Sequence, residues 1–174
     1  MKAALIILSL ASVPLFSNAA AALESAQYEK LATQTIQELV GGKVADASAT
    51  FARLDQAMQI GIAGCKEYIA KHPEDAALLG KVIAEAPNMT KMTADELEEA
   101  WGDEGKAGDS VGRPLKNIDN NGVTRGFLDI VVHPARAHDL IVEFGKTHDA
   151  HALEEAKGEL VEALGHLKVA SAAL

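Results

Sequence analysis

An apolar stripe that continues for about seven helical turns constrains the fold of this chain more than any other feature. Its members recur at spacings of three and four residues, which is the repeat of one helix face: Val44, Ala47, Phe51, Leu54, Met58, Ile62, Cys65 and Ile69. A helix with such a face is stable only when other helices cover it. Gly61 and Gly64 flank the stripe, and they would allow close approach by another helix. Each glycine disfavours a helix by about 1 kcal/mol, so the presence of two predicts a close helix crossing.

The remainder of the chain adds helical segments and few strand signals. Aromatic residues make up 4% of the sequence and alanine is frequent, a composition that favours helices over sheets. Capping and turn residues divide the pattern into helices at about residues 22–40, 44–71, 73–86, 93–101, 134–144 and 147–170. We therefore predict an all-α fold, a compact bundle of about five or six helices.

Residues 102–126 interrupt this helical pattern. They contain six glycines and many other turn-forming residues, and they show no sustained apolar period. A segment of this length without regular structure is uncommon in a compact domain and is usually functional or mobile. We predict a long irregular segment here, before the penultimate helix.

The next segment, residues 126–140, reads GFLDIVVHPARAHDL and combines an apolar run with charged side chains. Residues 127–132 fit either two turns of helix or a short buried strand. Pro134 disfavours helical geometry at His133 and suits the first turn of a helix. We therefore predict that one helix begins at Pro134 and that His133 lies outside helical geometry.

Asp129 lies inside the apolar part of this segment, where a carboxylate is buried only if a partner satisfies it. The candidate partners are Arg113, Arg125 and Arg136. Asp139 lies three residues beyond Arg136, so we also expect a surface ion pair between these two side chains.

The N-terminus has the pattern of a cleaved secretory signal. Lys2 precedes an apolar run over residues 3–16, and Ser17 and Ala19 are small residues suited to cleavage before Ala20. We predict a signal peptide at residues 1–19 and a single helical domain at residues 20–174. The expected product is an exported, soluble protein, periplasmic in the first instance and secreted as the alternative, with no membrane association after cleavage.

The cysteine content and the charge of the chain argue against several classes of protein. Cys65 is the only cysteine, so an internal disulfide is impossible, and its place in the apolar stripe predicts core packing. The CxxCH signature of covalently attached haem is missing. The chain has 25 acidic and 16 basic residues, a formal net charge of −9, and no cluster of basic residues, which argues against nucleic-acid binding.

Two groups of side chains are candidates for a site. The first lies in residues 113–139 and is predicted to bind a small ligand or a protein partner: Arg113, Arg125, Asp129, His133, Arg136 and His138. Five of the six histidines follow residue 132, and imidazoles with a carboxylate are ordinary ligands of Zn²⁺ and Cu²⁺. The second group is therefore a candidate metal site: His138, His148, His151 and Glu155.

These groups give two hypotheses for function. The leading hypothesis is a non-enzymatic exported protein that binds a small ligand or protein partner through residues 113–139. The alternative is a periplasmic metal- or haem-binding protein that uses the C-terminal histidines, with zinc, copper or haem as the cofactor and no motif that specifies one. An enzyme ranks below both, because no catalytic residue spacing is present in the sequence.

Overall fold

The computed structural model describes residues 24–174, and every regular element in that part of the chain is helical. Its α-helices are Ser25–Val40 (α1), Ala47–Lys71 (α2), Ala76–Met89 (α3), Ala94–Trp101 (α4), Val123–Thr147 (α5) and Ala150–Ser171 (α6). Short 3-10 helices span Pro73–Asp75, Asp109–Val111 and Leu115–Asn117. The predicted all-α bundle is confirmed. The predicted signal peptide lies outside the described residues.

Four of the helices form an antiparallel bundle. Helix α1 packs against α2 and α6, while α5 packs against α2 and α6, so the four close into a ring. Contacts fix the direction of α5 against α2, since Gly61 meets Ile130 while the later residue Cys65 meets the earlier residue Phe127. Helix α3 packs against α2 and α5, and α4 packs against α5.

The predicted close crossing occurs where α2 meets α5. A Cβ built at Gly61 would lie 2.9 Å from the Ile130 carbonyl oxygen, so no larger residue fits without a shift of backbone. Cys65 is fully buried, and its Sγ lies 3.2 Å from the Phe127 carbonyl oxygen. Its predicted role in core packing is confirmed, and burial raises the pKa of the Cys65 thiol to about 12.

Helix α5 runs through Pro134 without ending, so the predicted break at His133 is wrong. A proline inside a helix has no N–H for the carbonyl four residues earlier, which here belongs to Ile130. The hydroxyl of Tyr28 on α1 donates to that carbonyl at 2.8 Å and replaces the missing bond. Residues 125–135 are all buried, so packing on both sides of Pro134 favours one continuous helix.

Other boundaries differ from the predicted ones by smaller amounts. Helix α3 continues past Pro87 to Met89, although it was expected to end at residue 86. Helix α5 begins at Val123, which shortens the irregular segment, and that segment contains two 3-10 turns. Helix α4 begins with a capping box, in which the Thr93 and Glu96 side chains each accept from the other's backbone N–H. Among the described helices, none is long and apolar enough to cross a bilayer.

Candidate functional site

Three polar side chains lie on the face of α5 that meets α6. Arg125, Asp129 and His133 are spaced four residues apart, so they line up along one side of the helix. Arg125 and His133 are 6% exposed and Asp129 is 1% exposed. Charged residues are seldom buried to this degree without partners, so the contacts of these three decide what they can do.

Asp129 has the partner that its position demands. Arg125 Nε donates to Asp129 Oδ2 at 2.7 Å, and Arg125 Nη2 lies 3.3 Å from Asp103 Oδ1. Asp129 Oδ1 and Arg125 Nη1 are also buried, but neither has a hydrogen-bond partner. Burial raises the pKa of Asp129 above its ordinary value, although the positive charge of Arg125 opposes the shift.

Helix α6 brings a second histidine to this carboxylate. His166 Nε2 lies 3.2 Å from Asp129 Oδ2, and the rings of His133 and His166 stack with centroids 5.4 Å apart. Gly126 permits the approach of the two helices, since a Cβ at that position would lie 3.2 Å from the His166 carbonyl oxygen. Burial lowers the pKa of His166, although the negative charge of Asp129 opposes the shift.

His133 is held in place by a chain of charged groups. Its Nδ1 lies 2.7 Å from Glu159 Oε2, and Glu159 Oε1 accepts from Arg136 Nη2 at 3.1 Å. Arg136 Nη1 in turn lies 2.9 Å from Glu98 Oε2 on α4. If His133 donates its Nδ1 proton to Glu159, its Nε2 carries the lone pair.

The expected pair between Arg136 and Asp139 does not form. The Arg136 side chain instead forms ion pairs with Glu159 on α6 and with Glu98 on α4. Asp139 Oδ2 instead accepts from the backbone N–H of Ala94 at 2.8 Å, in the first turn of α4. A carboxylate is favourable there because the first N–H groups of a helix lack partners within it.

The convergence of α5 and α6 produces one potential metal-binding group within residues 24–174. Asp129, His133 and His166 each offer one ligand atom, and these atoms lie within 4.8 Å of one another. Two imidazoles and a carboxylate suit Zn²⁺, Cu²⁺ and other divalent transition metals.

The other predicted site residues lie apart from this group. Arg113 Nη2 pairs with the buried Asp75 at 2.8 Å, and His138 stacks on Phe51 with ring centroids 4.3 Å apart. His148 ends α5 in a left-handed backbone conformation, with φ 58°. His151 Nε2 lies 3.1 Å from Glu155 Oε1, with both side chains at least half exposed. The predicted metal residues His138, His148, His151 and Glu155 are not brought together as one group of ligands.

His166 and Glu159 are the residues that the sequence interpretation missed. Both belong to a polar stripe on α6 that has the spacing of a solvated helix face. A prediction of α5 as one continuous helix would have placed Asp129 and His133 one turn apart on the same face. To place His166 opposite them, one must also know the register between α5 and α6, and that register is set by tertiary packing.

An acidic groove of about 690 Å³ lies beside the group. Its lining includes Glu159 and Glu162, which both contact His133. Six carboxylates and two cationic side chains line it, so its field attracts cations. The carboxylates belong to Asp95, Asp139, Glu143, Glu155, Glu159 and Glu162.

The chain matches no family model, no curated protein and no solved structure with which it was compared.

Proposed function

We propose that this is an exported helical protein that binds a divalent transition-metal ion through Asp129, His133 and His166. The observation that carries the proposal is the convergence of their ligand atoms within 4.8 Å of one another, on two adjacent helices. Two of the three residues lie in the 113–139 segment from which ligand binding was expected. The third comes from the histidine-rich C-terminal part of the chain.

The surroundings of the three residues favour coordination. Glu159 accepts at His133 Nδ1, an arrangement that orients a ligating imidazole and raises its basicity. Asp129 keeps one carboxylate oxygen without a hydrogen-bond partner although it is buried, and a metal ion would satisfy that oxygen. Arg125 bonds the other oxygen and fixes the plane of the carboxylate.

Access and compartment support the same function. The acidic groove raises the local concentration of cations beside Glu159 and Glu162, which contact His133. Export is supported by the basic and apolar pattern of residues 1–19. The proposed role is binding, because the assigned residues supply ligands and the groups that orient them.

Titration of the purified protein with Zn²⁺ by calorimetry tests the proposal. We expect about one equivalent to bind, and we expect the double variant His133→Ala/His166→Ala to lose that binding. The matched control is His148→Ala/His151→Ala, which removes two exposed histidines from the same region and should bind as the wild type does. A wild-type protein without Zn²⁺ uptake would overturn the proposal, and so would loss of binding in the control variant alone.

A further inference from the structure

Glu162 lies beside His133, one of the three proposed ligands, and among the described residues it forms no other ion pair. Its Oε2 is 3.9 Å from His133 Nε2, and its side chain is 65% exposed. It precedes His166 by one turn of α6, so the two side chains lie on the same face of that helix. We propose that Glu162 is the fourth ligand and that it closes the site into a tetrahedral, zinc-type centre. This inference rests on the metal-binding function proposed above.

Tetrahedral geometry gives the distances that such a site requires. Ligand bonds of about 2.0–2.1 Å place two neighbouring donor atoms about 3.3 Å apart. The ligand atoms of Asp129, His133 and His166 lie within 4.8 Å of one another. The separation of 3.9 Å between His133 Nε2 and Glu162 Oε2 is slightly longer than the tetrahedral value. An exposed glutamate covers that difference by a small change of its side-chain torsions.

The neighbouring glutamate cannot take this role without breaking other contacts. Glu159 is 11% exposed, with one oxygen on His133 Nδ1 and the other on Arg136. Both of its oxygens are therefore engaged in positioning His133. Within the described residues, the only ion pair of Glu162 is the long contact with His133 Nε2. Glu159 thus orients His133, and Glu162 is the residue that coordinates the metal ion.

Closure by Glu162 defines the kind of site. Structural zinc sites have four protein ligands, whereas catalytic sites keep one position open for water or substrate. A site closed by four side chains therefore holds its ion without an exchangeable water ligand. The inference assigns the centre to the class that retains or carries a metal ion.

Two measurements on Glu162→Gln test the inference, with Glu155→Gln as the matched control. Both variants remove one carboxylate from the acidic lining of the groove on α6, and both residues are half exposed or more, so the fold should tolerate each change. We expect Glu162→Gln to weaken Zn²⁺ binding at least about tenfold, and Glu155→Gln to change it much less. The second measurement is the visible absorption of the Co²⁺-loaded protein, since tetrahedral Co²⁺ absorbs far more strongly than five- or six-coordinate Co²⁺.

The outcomes separate this inference from the proposal on which it rests. Strong Co²⁺ absorption in the wild type that falls in Glu162→Gln supports a four-ligand site. Equal affinity and equal spectra in the wild type and Glu162→Gln would overturn the fourth ligand and leave metal binding intact. If both glutamate variants weaken binding equally, the effect is that of the groove's field, and the fourth ligand is again overturned. A wild-type protein that binds neither ion would overturn both.

Discussion

Arg125 Nε donates to Asp129 Oδ2 at 2.7 Å across one turn of α5, with both side chains more than nine-tenths buried. Removing one member of a buried pair leaves the other charge without compensation, at a cost of about 3–5 kcal/mol. We therefore expect Arg125→Met to lower the free energy of unfolding by about 3 kcal/mol, measured by urea denaturation in the absence of metal.

Lys106→Met is the control for the loss of one positive charge. Lys106 pairs with Glu99 on the surface, where both side chains are more than 70% exposed, so its removal should cost less than about 1 kcal/mol. Equal destabilisation by the two variants would show that the buried contact contributes nothing beyond net charge.

Glu159 should govern metal affinity through the orientation of His133. In Glu159→Gln the amide cannot hold the His133 Nδ1 proton as strongly, and loss of such a carboxylate typically weakens metal binding about 10–100-fold. Calorimetric titration with Zn²⁺ measures the change. Glu143→Gln, which also removes a charge from the groove, should bind as the wild type does. Similar losses in both variants would contradict a specific role for Glu159.

His138 should make the stability of the fold depend on pH. Burial against Phe51 lowers the pKa of His138, while the charges of Asp55 and Asp139 oppose the shift. The unfolded chain then binds a proton at higher pH than the folded protein does, so stability falls as the pH drops below about 6.5. We expect His138→Gln to reduce this slope, by at most about 1.4 kcal/mol per pH unit for one proton.

Denaturation midpoints between about pH 7 and pH 5 measure that slope. His151→Gln is the control, because His151 is 74% exposed. A slope that is unchanged in His138→Gln, or one that changes equally in both variants, would contradict the prediction.

Tyr28 and Pro134 should be energetically coupled across the bundle. In the wild type, Tyr28→Phe leaves the Ile130 carbonyl without the bond that replaces the missing proline N–H, at a cost of about 1–3 kcal/mol. In a Pro134→Ala background the alanine N–H can bond that carbonyl, so the same change should cost less. A double-mutant cycle by urea denaturation measures the difference, and additive costs would contradict the coupling.

Much of the fold could be predicted from the sequence because its signals are local. The apolar spacing in α2 requires a helix, and the Thr93 capping box marks the start of α4. Proline is also a local signal, but at position 134 it gave the wrong prediction. Burial on both sides of Pro134 and a hydroxyl supplied by α1 outweigh the lost hydrogen bond, and neither is visible within a short window.

The candidate site could be predicted only in part. Asp129 in an apolar run required a partner, and Arg125 was among the candidates. The spacing of Arg136 and Asp139 allowed a pair, yet both side chains are used by α4 and α6 instead. His166 could not be assigned, because only the register between α5 and α6 places it beside Asp129.

The buried and half-buried polar side chains around Asp129 lie on one helical hairpin. This hairpin consists of α5 and α6, which are joined by a connection of two residues. The side chains are those of Arg125, Asp129, His133, Glu159 and His166. Short chain closure makes such contacts kinetically accessible before distant ones. We therefore expect these charges to find one another early in folding, before α1 and α2 cover the hairpin. The order of assembly would then spare the chain the desolvation of unpaired ions.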